Sequence, residues 1–230
     1  TGRAGRLPHG TAYCSGTLYF GGVTIRGAGG PSNALAFTSR SVIRSDGNPM
    51  VTIARFPGDA QAFFLTHWED FTLLGAGGTV APVELWDRAS FPFQIGLWLG
   101  RGHEAMETVA GGEAPSSGGA GNLTIRRVNV DSCSGWGLYG YKLWGKSVID
   151  DVFFIRCGGP AAAATNDDSD GGAMNFASVS VDFQVSNVHS FNSGYPVAAH
   201  NHRGTGLRIG ALRSETDALG RLWDIGGNQK

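Results

Sequence analysis

The sequence is poor in charged residues and has no long apolar run. Only 16% of its 230 residues are Asp, Glu, Lys or Arg, against about 25% in ordinary soluble domains. The formal net charge is −1, so the whole molecule has no attraction to nucleic acid or to an anionic membrane. No apolar run approaches the roughly 20 residues that cross a bilayer as a helix. We therefore expect no nucleic-acid partner and no membrane insertion.

Cysteine is also scarce. The three residues Cys14, Cys133 and Cys157 are an odd number, which excludes a complete disulfide framework and leaves one pair open. The chain starts at Thr1 without the charged and then apolar segment of a secretion signal. We expect a processed protein or a fragment of a longer chain, and we expect no cofactor.

Glycine, by contrast, is abundant. The chain contains 37 glycines, about twice the usual share of roughly 7%. An interior glycine costs a helix about 1 kcal/mol relative to alanine, which argues against helix bundles and coiled coils. Hydrophobic residues make up 41% of the chain and include six tryptophans, so the chain can bury a core and should fold.

Short apolar–polar–apolar segments repeat along the chain. They begin at Val23, Phe71, Leu123, Ser147, Phe183 and Leu207. The spacing from Leu123 to Ser147, and again from Phe183 to Leu207, is about 24 residues, a length that repeat architectures use. Val23 and Phe71 are twice as far apart, which we interpret as two units. Period-2 alternation in runs bounded by glycine predicts strands. Longer intervals contain predicted insertions at about 103–120 and 161–172.

Aligning the last four repeats produces apolar columns, one residue per repeat. The columns are Leu123, Ser147, Phe183 and Leu207, then Ile125, Ile149, Val185 and Ile209, then Val128, Val152, Val188 and Leu212. Such columns predict a parallel β-solenoid, in which each coil buries its inward side chains against its neighbours. We expect coils of about 24 residues with three strands each.

Two polar details follow from the same alignment. Cys133, Cys157 and Ser193 share a column, which favours a stack of small residues at a turn over a disulfide or a metal site. Arg126 and Asp150 occupy neighbouring coils and should pair across the sheet surface.

The segment from Leu7 to Gly30, LPHGTAYCSGTLYFGGVTIRGAGG, resembles the entry segment of the pectate-lyase-like superfamily. This superfamily includes pectate lyases, polygalacturonases and phage tailspike depolymerases. The resemblance implies an all-β, right-handed parallel β-helix, a single domain over residues 1–230, and a polysaccharide or oligosaccharide partner. It also implies an extracellular or virion location and a homotrimer, or a further chain that caps the ends of the solenoid.

Two subclasses of that superfamily fit poorly. Asp167-Asp168 and Arg208-Ile209 partly match polygalacturonase motifs, but Gly210 follows Ile209 and the chain contains no Gly-His-Gly. A calcium-dependent lyase would need several stacked acidic ligands, whereas Asp150 is the one acidic residue on the aligned face of the last four repeats.

Past the turn, the alignment places Tyr141 beside Thr165 and Asn201, and Lys142 beside Asn166 and His202. The candidate catalytic residues are Asp167, Asp168, His202 and Arg203. The candidate substrate-binding residues are Tyr141, Lys142, Trp144, Asp170 and His200. Paired carboxylates suit glycoside hydrolysis, while a base and a cation suit a lyase. The alternative interpretation of residues 165–172 is a solvated surface loop, and we expect no metal there.

A second polar group, His67-Trp68-Glu69-Asp70, either reaches a groove or forms a turn that leads into a strand. Taken together, these features predict a β-helix that binds and degrades polysaccharide, such as a phage tailspike domain. The alternatives are a non-catalytic glycan-binding or structural module of a virion or cell surface, and an epimerase that acts on polymeric uronates.

Overall fold

The structure is a computed structural model, and it describes thirteen parts of the chain. These are residues 3–15, 18–19, 23–29, 41–45, 54–56, 66–75, 95–100, 122–141, 143, 146–158, 171–177, 182–200 and 207–215. All regular elements in them are strands: β1 (Arg3–Arg6), β2 (Gly10–Cys14), β3 (Leu18–Tyr19), β4 (Val23–Arg26), β5 (Ser41–Ser45), β6 (Ala54–Phe56), β7 (Thr66–Leu74), β8 (Leu97–Gly100), β9 (Leu123–Asp131), β10 (Trp136–Tyr141), β11 (Ser147–Ile155), β12 (Gly172–Ala177), β13 (Phe183–Phe191), β14 (Tyr195–His200), β15 (Leu207–Ile209) and β16 (Leu212–Glu215). Within these ranges, no helix is long and apolar enough to cross a membrane.

The strands form two sheets, and the chain alternates between them. The ten-stranded sheet runs β1-β4-β7-β9-β11-β13-β15, with β2 paired to β5, β5 to β7, and β16 to β13. The six-stranded sheet runs β14-β12-β10-β8-β6-β3. Every strand pair is parallel. The protein is therefore all-β with parallel sheets, an arrangement compatible with a β-helix.

The apolar columns predicted from the sequence are confirmed. Ile125 pairs with Ile149, which pairs with Val185, and Val188 pairs with Leu212. The spacing of the sequence repeat is thus the register between β9 and β11 and between β13 and β15. The inward side chains of these strands are buried, with Ile125 and Ile149 fully inaccessible. Burying one such aliphatic side chain stabilises the fold by about 1.5–3 kcal/mol.

The expected equivalence of Val23 and Phe71 is wrong. Thr24 pairs with His67, while Phe71 lies opposite Val128. Strands β4 and β5 both pair with β7, β4 along its first half and β5 along its second. The interval from Val23 to Phe71 therefore does not contain two units. β4 and β5 together form one interrupted strand, and this strand pairs with the continuous strand β7.

Each long strand of the ten-stranded sheet bends at a residue in the left-handed conformation. These residues stack from strand to strand: Asp70 (φ 66°), Arg127 (φ 49°), Asp151 (φ 54°) and Asn187 (φ 50°). Inward positions are two residues apart on either side of the bend but three apart across it, as from Ile125 to Val128. The bend thus splits each long strand into two straight runs, and the chain then continues into the six-stranded sheet.

The cysteine column is a stack of small buried residues, as expected. Cys133, Cys157 and Ser193 are all buried, and both cysteines are free thiols. The Gly158 amide donates to the Cys133 carbonyl at 2.9 Å, and the Cys157 amide donates to Ser193 Oγ at 3.2 Å. A hydrogen bond to Cys157, together with burial, raises the pKa of the Cys133 thiol, so both sulfurs belong to the core.

Candidate functional site

Most of the site residues predicted from the sequence lie outside the described residues. These are Asp167, Asp168, Asp170, Lys142, Trp144, His202 and Arg203. The backbones of Tyr141 and His200 are described, at the last positions of β10 and β14. Tyr141 and His200 lie in one column, each paired with Ala177 of the strand between them.

That register contradicts the expected neighbours of Tyr141. Tyr141 lies beside Ala177, and not beside Thr165. The interval from Cys133 to Cys157 has the length of the sequence repeat. The interval between the paired residues Trp136 and Gly172 is twelve positions longer than that repeat. Twelve additional residues therefore separate Gly158 from Gly171, and an alignment with a constant spacing misplaces everything after them.

The two ends of this inserted segment lie against each other. Gly158 (φ 60°) and Gly171 (φ 88°) both adopt positive φ, and a Cβ on Gly158 would overlap the Gly171 carbonyl carbon. Asp170 is thus attached before the start of β12, whereas His202 follows the end of the parallel neighbour β14.

The described residues contain a different polar cluster, on the outer face of the ten-stranded sheet at its bend. We call it the corner strip, and it comprises Arg26, Glu69, Asp70, Arg126, Arg127, Asp150, Asp151, Ser186 and Asn187. Register pairs these residues across the strands, Arg26 with Glu69, Glu69 with Arg126, Arg126 with Asp150, and Asp150 with Ser186. The charge alternates from positive to negative along the first four, so each strand neutralises its neighbour.

Glu69 is the most enclosed carboxylate of the strip, with a side chain only 9% exposed. Arg26 Nε contacts Glu69 Oε1. On Oε2, His67 Nε2 lies at 2.8 Å and Arg127 Nη2 donates at 3.2 Å. His67, Glu69 and Asp70 lie within β7, so the predicted turn into a strand is wrong.

The left-handed residues of the strip interact across strands. Arg127 Nε donates to Asp70 Oδ1 at 2.6 Å, and Nη2 donates to Oδ2 at 3.2 Å. This hydrogen bond raises the pKa of Arg127. The pKa of Asp151 is also raised, first by burial, then by the charge of Asp150, with a smaller contribution from Asp70 and with Arg127 opposing. Asp151 therefore holds its proton more readily than an exposed aspartic acid does.

Asp150 is held by the next strand. Ser186 Oγ donates to Asp150 Oδ1 at 2.8 Å, and Asn187 Nδ2 donates to the same oxygen at 2.9 Å. Arg126 Nε lies 4.0 Å from the other oxygen, Oδ2, which confirms the predicted pair across the sheet surface. Asp150 and Asp151 thus form adjacent carboxyls, one tied down by hydrogen bonds and one with a raised pKa.

An open pocket of about 290 Å³ lies on the same face. Its lining includes Lys146, Val148, Asp182, Gln184 and Arg208. Residues two apart in a strand point to the same side, and Val148 therefore shares a face with Asp150, about 7 Å farther along β11. The pocket therefore adjoins the corner strip on this face of the sheet.

Sequence reasoning found part of this surface but missed its centre. The Arg126–Asp150 pair came from the column alignment, whereas the cluster around Arg127 did not. The missed signal is a break in alternation, two polar residues between two apolar ones, as in Ile-Arg-Arg-Val, Ile-Asp-Asp-Val and Val-Ser-Asn-Val. Such a break is what a left-handed bend produces when two successive side chains point outward. Across the described strands, no three His, Cys, Asp or Glu residues are grouped to hold a metal ion.

Comparison with known proteins shows little. No known protein family and no curated protein matches the chain. A solved structure that matches is the A-module of the mannuronan C-5 epimerase AlgE6 from Azotobacter vinelandii, at 14% identity. The match covers 94% of this chain and 69% of that chain, with a TM-score of 0.37. At this level of similarity the chain is assigned to no family.

Proposed function

We propose that the chain is a right-handed parallel β-helix, with solenoid coils of about 24 residues, that binds and degrades polysaccharide. The observation that carries this proposal is the corner strip beside an open pocket. Charged and amide side chains crowd one exposed face there, and they include the adjacent carboxyls Asp150 and Asp151. Sugar hydroxyls both donate and accept hydrogen bonds, and charged partners strengthen those bonds.

The dimensions of the surface suit an extended oligosaccharide. The strip and pocket extend from β4 to β15, which are five strand spacings apart in the sheet. At about 4.8 Å per spacing, this is about 24 Å. A chain of several sugar units laid across the strands would contact the strip and the pocket together.

The chemistry that fits Asp150 and Asp151 is glycoside hydrolysis. Glycosidases pair a carboxyl that donates a proton with a carboxylate that acts as base or nucleophile. Asp151, with its raised pKa, would protonate the glycosidic oxygen as the bond to the anomeric carbon breaks. Asp150, fixed by Ser186 and Asn187, would activate the attacking water or attack the carbon itself.

The residues predicted from the sequence remain a second candidate set. Asp167 and Asp168 would serve as acid and base, or His202 as base with Arg203 stabilising developing charge. Tyr141, Lys142, Trp144, Asp170 and His200 would bind sugar. This set requires the segment between Gly158 and Gly171 to meet the residues that follow β14.

The two sets are separated by paired substitutions. The assay measures reducing ends released from bacterial capsular, O-antigen, pectic and alginate glycans. Asp150→Asn with Asp151→Asn should lower the rate at least about 100-fold if the corner strip is catalytic. Asp167→Asn with Asp168→Asn should do so if the second set is catalytic, and Glu215→Gln, outside both sets, is the control. Full activity in both double variants would refute hydrolysis by either pair.

A non-catalytic glycan-binding or structural module is the second candidate, and the contacts of Glu69 favour it. Two arginines and the imidazole of His67 surround that carboxylate, an arrangement that stabilises a surface without any reaction. Glycan binding with no released ends, unchanged by the substitutions above, would support this module. Proton NMR of the treated polymer would reveal a uronate epimerase as inversion without chain cleavage.

The proposal includes an extracellular or virion-associated location and a homotrimer or a capping chain at the solenoid ends. A parallel solenoid has an unpaired strand edge at each end, which needs a cover. Analytical ultracentrifugation measures the number of chains, and a stable monomer would count against the tailspike version.

A further inference from the structure

The pocket beside the corner strip differs from the strip because its cationic side chains have no ion-pair partners among the described residues. Carboxylates of the strip meet arginine or histidine, as Glu69, Asp70 and Asp150 do. At the pocket, Lys146 and Arg208 form no ion pair or hydrogen bond within the part of the chain that the structure describes. Among the described residues that line the pocket, there are two cations, Lys146 and Arg208, and one carboxylate, Asp182, so this lining carries an excess of positive charge.

The register shows how the pocket is built. Gln184 of β13 pairs with Arg208 of β15. Lys146 precedes β11 and lies level with Asp182, because Ser147 pairs with Phe183. A guanidinium and an amide thus line one side and an ammonium the other, around a space of about 290 Å³. This volume is large enough for a single sugar ring rather than for water alone.

From this geometry we infer that the pocket binds a sugar unit carrying an anionic group, a carboxylate or a sulfate. The inference rests on the proposed function, because it takes the occupant of the strip to be a glycan. Arg208 would hold the anion with two parallel N–H donors, and Lys146 would supply a point charge. Gln184 would bond a hydroxyl of the same ring.

The position of the pocket gives the anionic unit a defined place along the chain. Val148 and Gln184 line the pocket, and Asp150 and Ser186 lie two residues farther along the same strands. That step is about 7 Å, so the anionic unit would sit next to the sugar that contacts Asp150. The polymer would therefore be selected for its charge one unit away from the carboxyls.

The test is isothermal titration calorimetry of the whole chain with four probes. They are hexagalacturonate, its neutral methyl ester, a sulfated hexasaccharide of heparin, and neutral maltohexaose. We expect one of the two anionic probes to bind at least about tenfold tighter than the neutral ones, with an affinity that falls as salt rises. Tighter binding of hexagalacturonate identifies the anion as a carboxylate. Tighter binding of the heparin fragment, which carries carboxylates as well, identifies sulfate as the preferred anion.

Substitutions then locate the anion. Arg208→Gln and Lys146→Gln should each weaken the anionic probe about tenfold, which corresponds to about 1.4 kcal/mol, and leave the neutral probes unchanged. Arg213→Gln is the matched control, since Arg213 is an exposed arginine that pairs with Glu215 outside the pocket. Equal binding of charged and neutral probes, or equal weakening by Arg213→Gln, would overturn the inference.

The outcome is distinguishable from that of the proposed function. Cleavage of neutral and anionic glycans with equal KM, unchanged in Arg208→Gln, would reject the anionic pocket and keep the depolymerase. Binding of an anionic probe that Arg208→Gln abolishes, without any cleavage, would keep the pocket and reject the depolymerase. Failure of all four probes to bind would reject the anionic pocket.

Discussion

Replacing Glu69 by glutamine should measure how strongly the corner strip holds the first coils together. The carboxylate is 9% exposed and contacts the imidazole of His67 and two arginines, Arg26 and Arg127, which are 55% and 40% exposed. Because these partners return to water when the charge is removed, the cost is below the roughly 3–5 kcal/mol of a fully buried pair. Glutamine keeps the shape and one acceptor oxygen.

The expected loss can be assembled from the contacts. The ion pairs with Arg26 and Arg127 are lost, each worth about 0.5–1 kcal/mol at this exposure, so Glu69→Gln should lower the free energy of unfolding by about 1–2 kcal/mol. Glu215→Gln is the control, because Glu215 is 35% exposed and its ion-pair partner Arg213 is 73% exposed, although His189 also lies 3.4 Å from Glu215. This control should lose less than about 1 kcal/mol, which is less than the loss expected for Glu69→Gln.

The assay is urea unfolding followed by tryptophan fluorescence, which reports on the buried Trp68 next to Glu69. A shift in the midpoint with an unchanged m-value would identify a change in stability alone. One molar salt should reduce the difference only in part, since the carboxylate is enclosed. A Glu69→Gln variant as stable as Glu215→Gln would refute the reasoning and would make the cluster a binding feature without a structural contribution.

Three further predictions concern the bends and turns. In urea unfolding, Asn187→Ala should lower the free energy of unfolding by about 1 kcal/mol more than Asn187→Gly does, because alanine disfavours the left-handed conformation at φ 50°. Equal stabilities of the two variants would contradict that conformation. Gly158→Ala should lower the free energy of unfolding by more than about 2 kcal/mol, because the new Cβ would clash with Gly171. Gly210→Ala is the control and should lower it little, because the nearest atom to the new Cβ is 3.6 Å away. A Gly158→Ala variant of unchanged stability would refute the close contact. Asp151→Asn should stabilise the protein at neutral pH. Because the pKa of Asp151 is raised in the folded state, the unsubstituted protein loses stability as the pH rises through that pKa. The stability gained by Asp151→Asn should therefore fade as the pH drops to about 3.8, the ordinary pKa of an aspartic acid. A gain that persists at this pH would argue against a raised pKa.

The parts of the fold that depend on side-chain periodicity could be predicted from the sequence. The columns through Ile125 and Val128 follow from apolar residues that recur at a constant interval, because stacked coils bury like positions together. Beyond Cys157 a constant spacing fails. The register of β12 depends on where twelve additional residues enter, and the Gly158–Gly171 contact that fixes this place joins residues distant in sequence.

In the candidate site, only the pairing of residues on neighbouring strands could be predicted from the sequence. A column alignment brings Arg126 to Asp150, but the contacts of Arg127 with Asp70 depend on backbone conformation. Period-2 reasoning assigns the second residue of each polar pair to the core side. The left-handed bend turns it outward instead, so Asp151 was overlooked while its neighbour was found.

The bend links the stability of the coils to their surface chemistry. In a flat strand, neighbouring side chains point to opposite faces, so adjacent carboxyls such as Asp150 and Asp151 could not both be exposed. The left-handed residue removes that restriction at a cost of about 1–2 kcal/mol, while one buried column residue in the same coil, such as Val152, contributes about 1.5–3 kcal/mol. The core therefore stabilises each coil enough to hold a strained corner. Paired polar residues can then follow one another from strand to strand, and two adjacent carboxyls, Asp150 and Asp151, lie on the same outer face of the sheet.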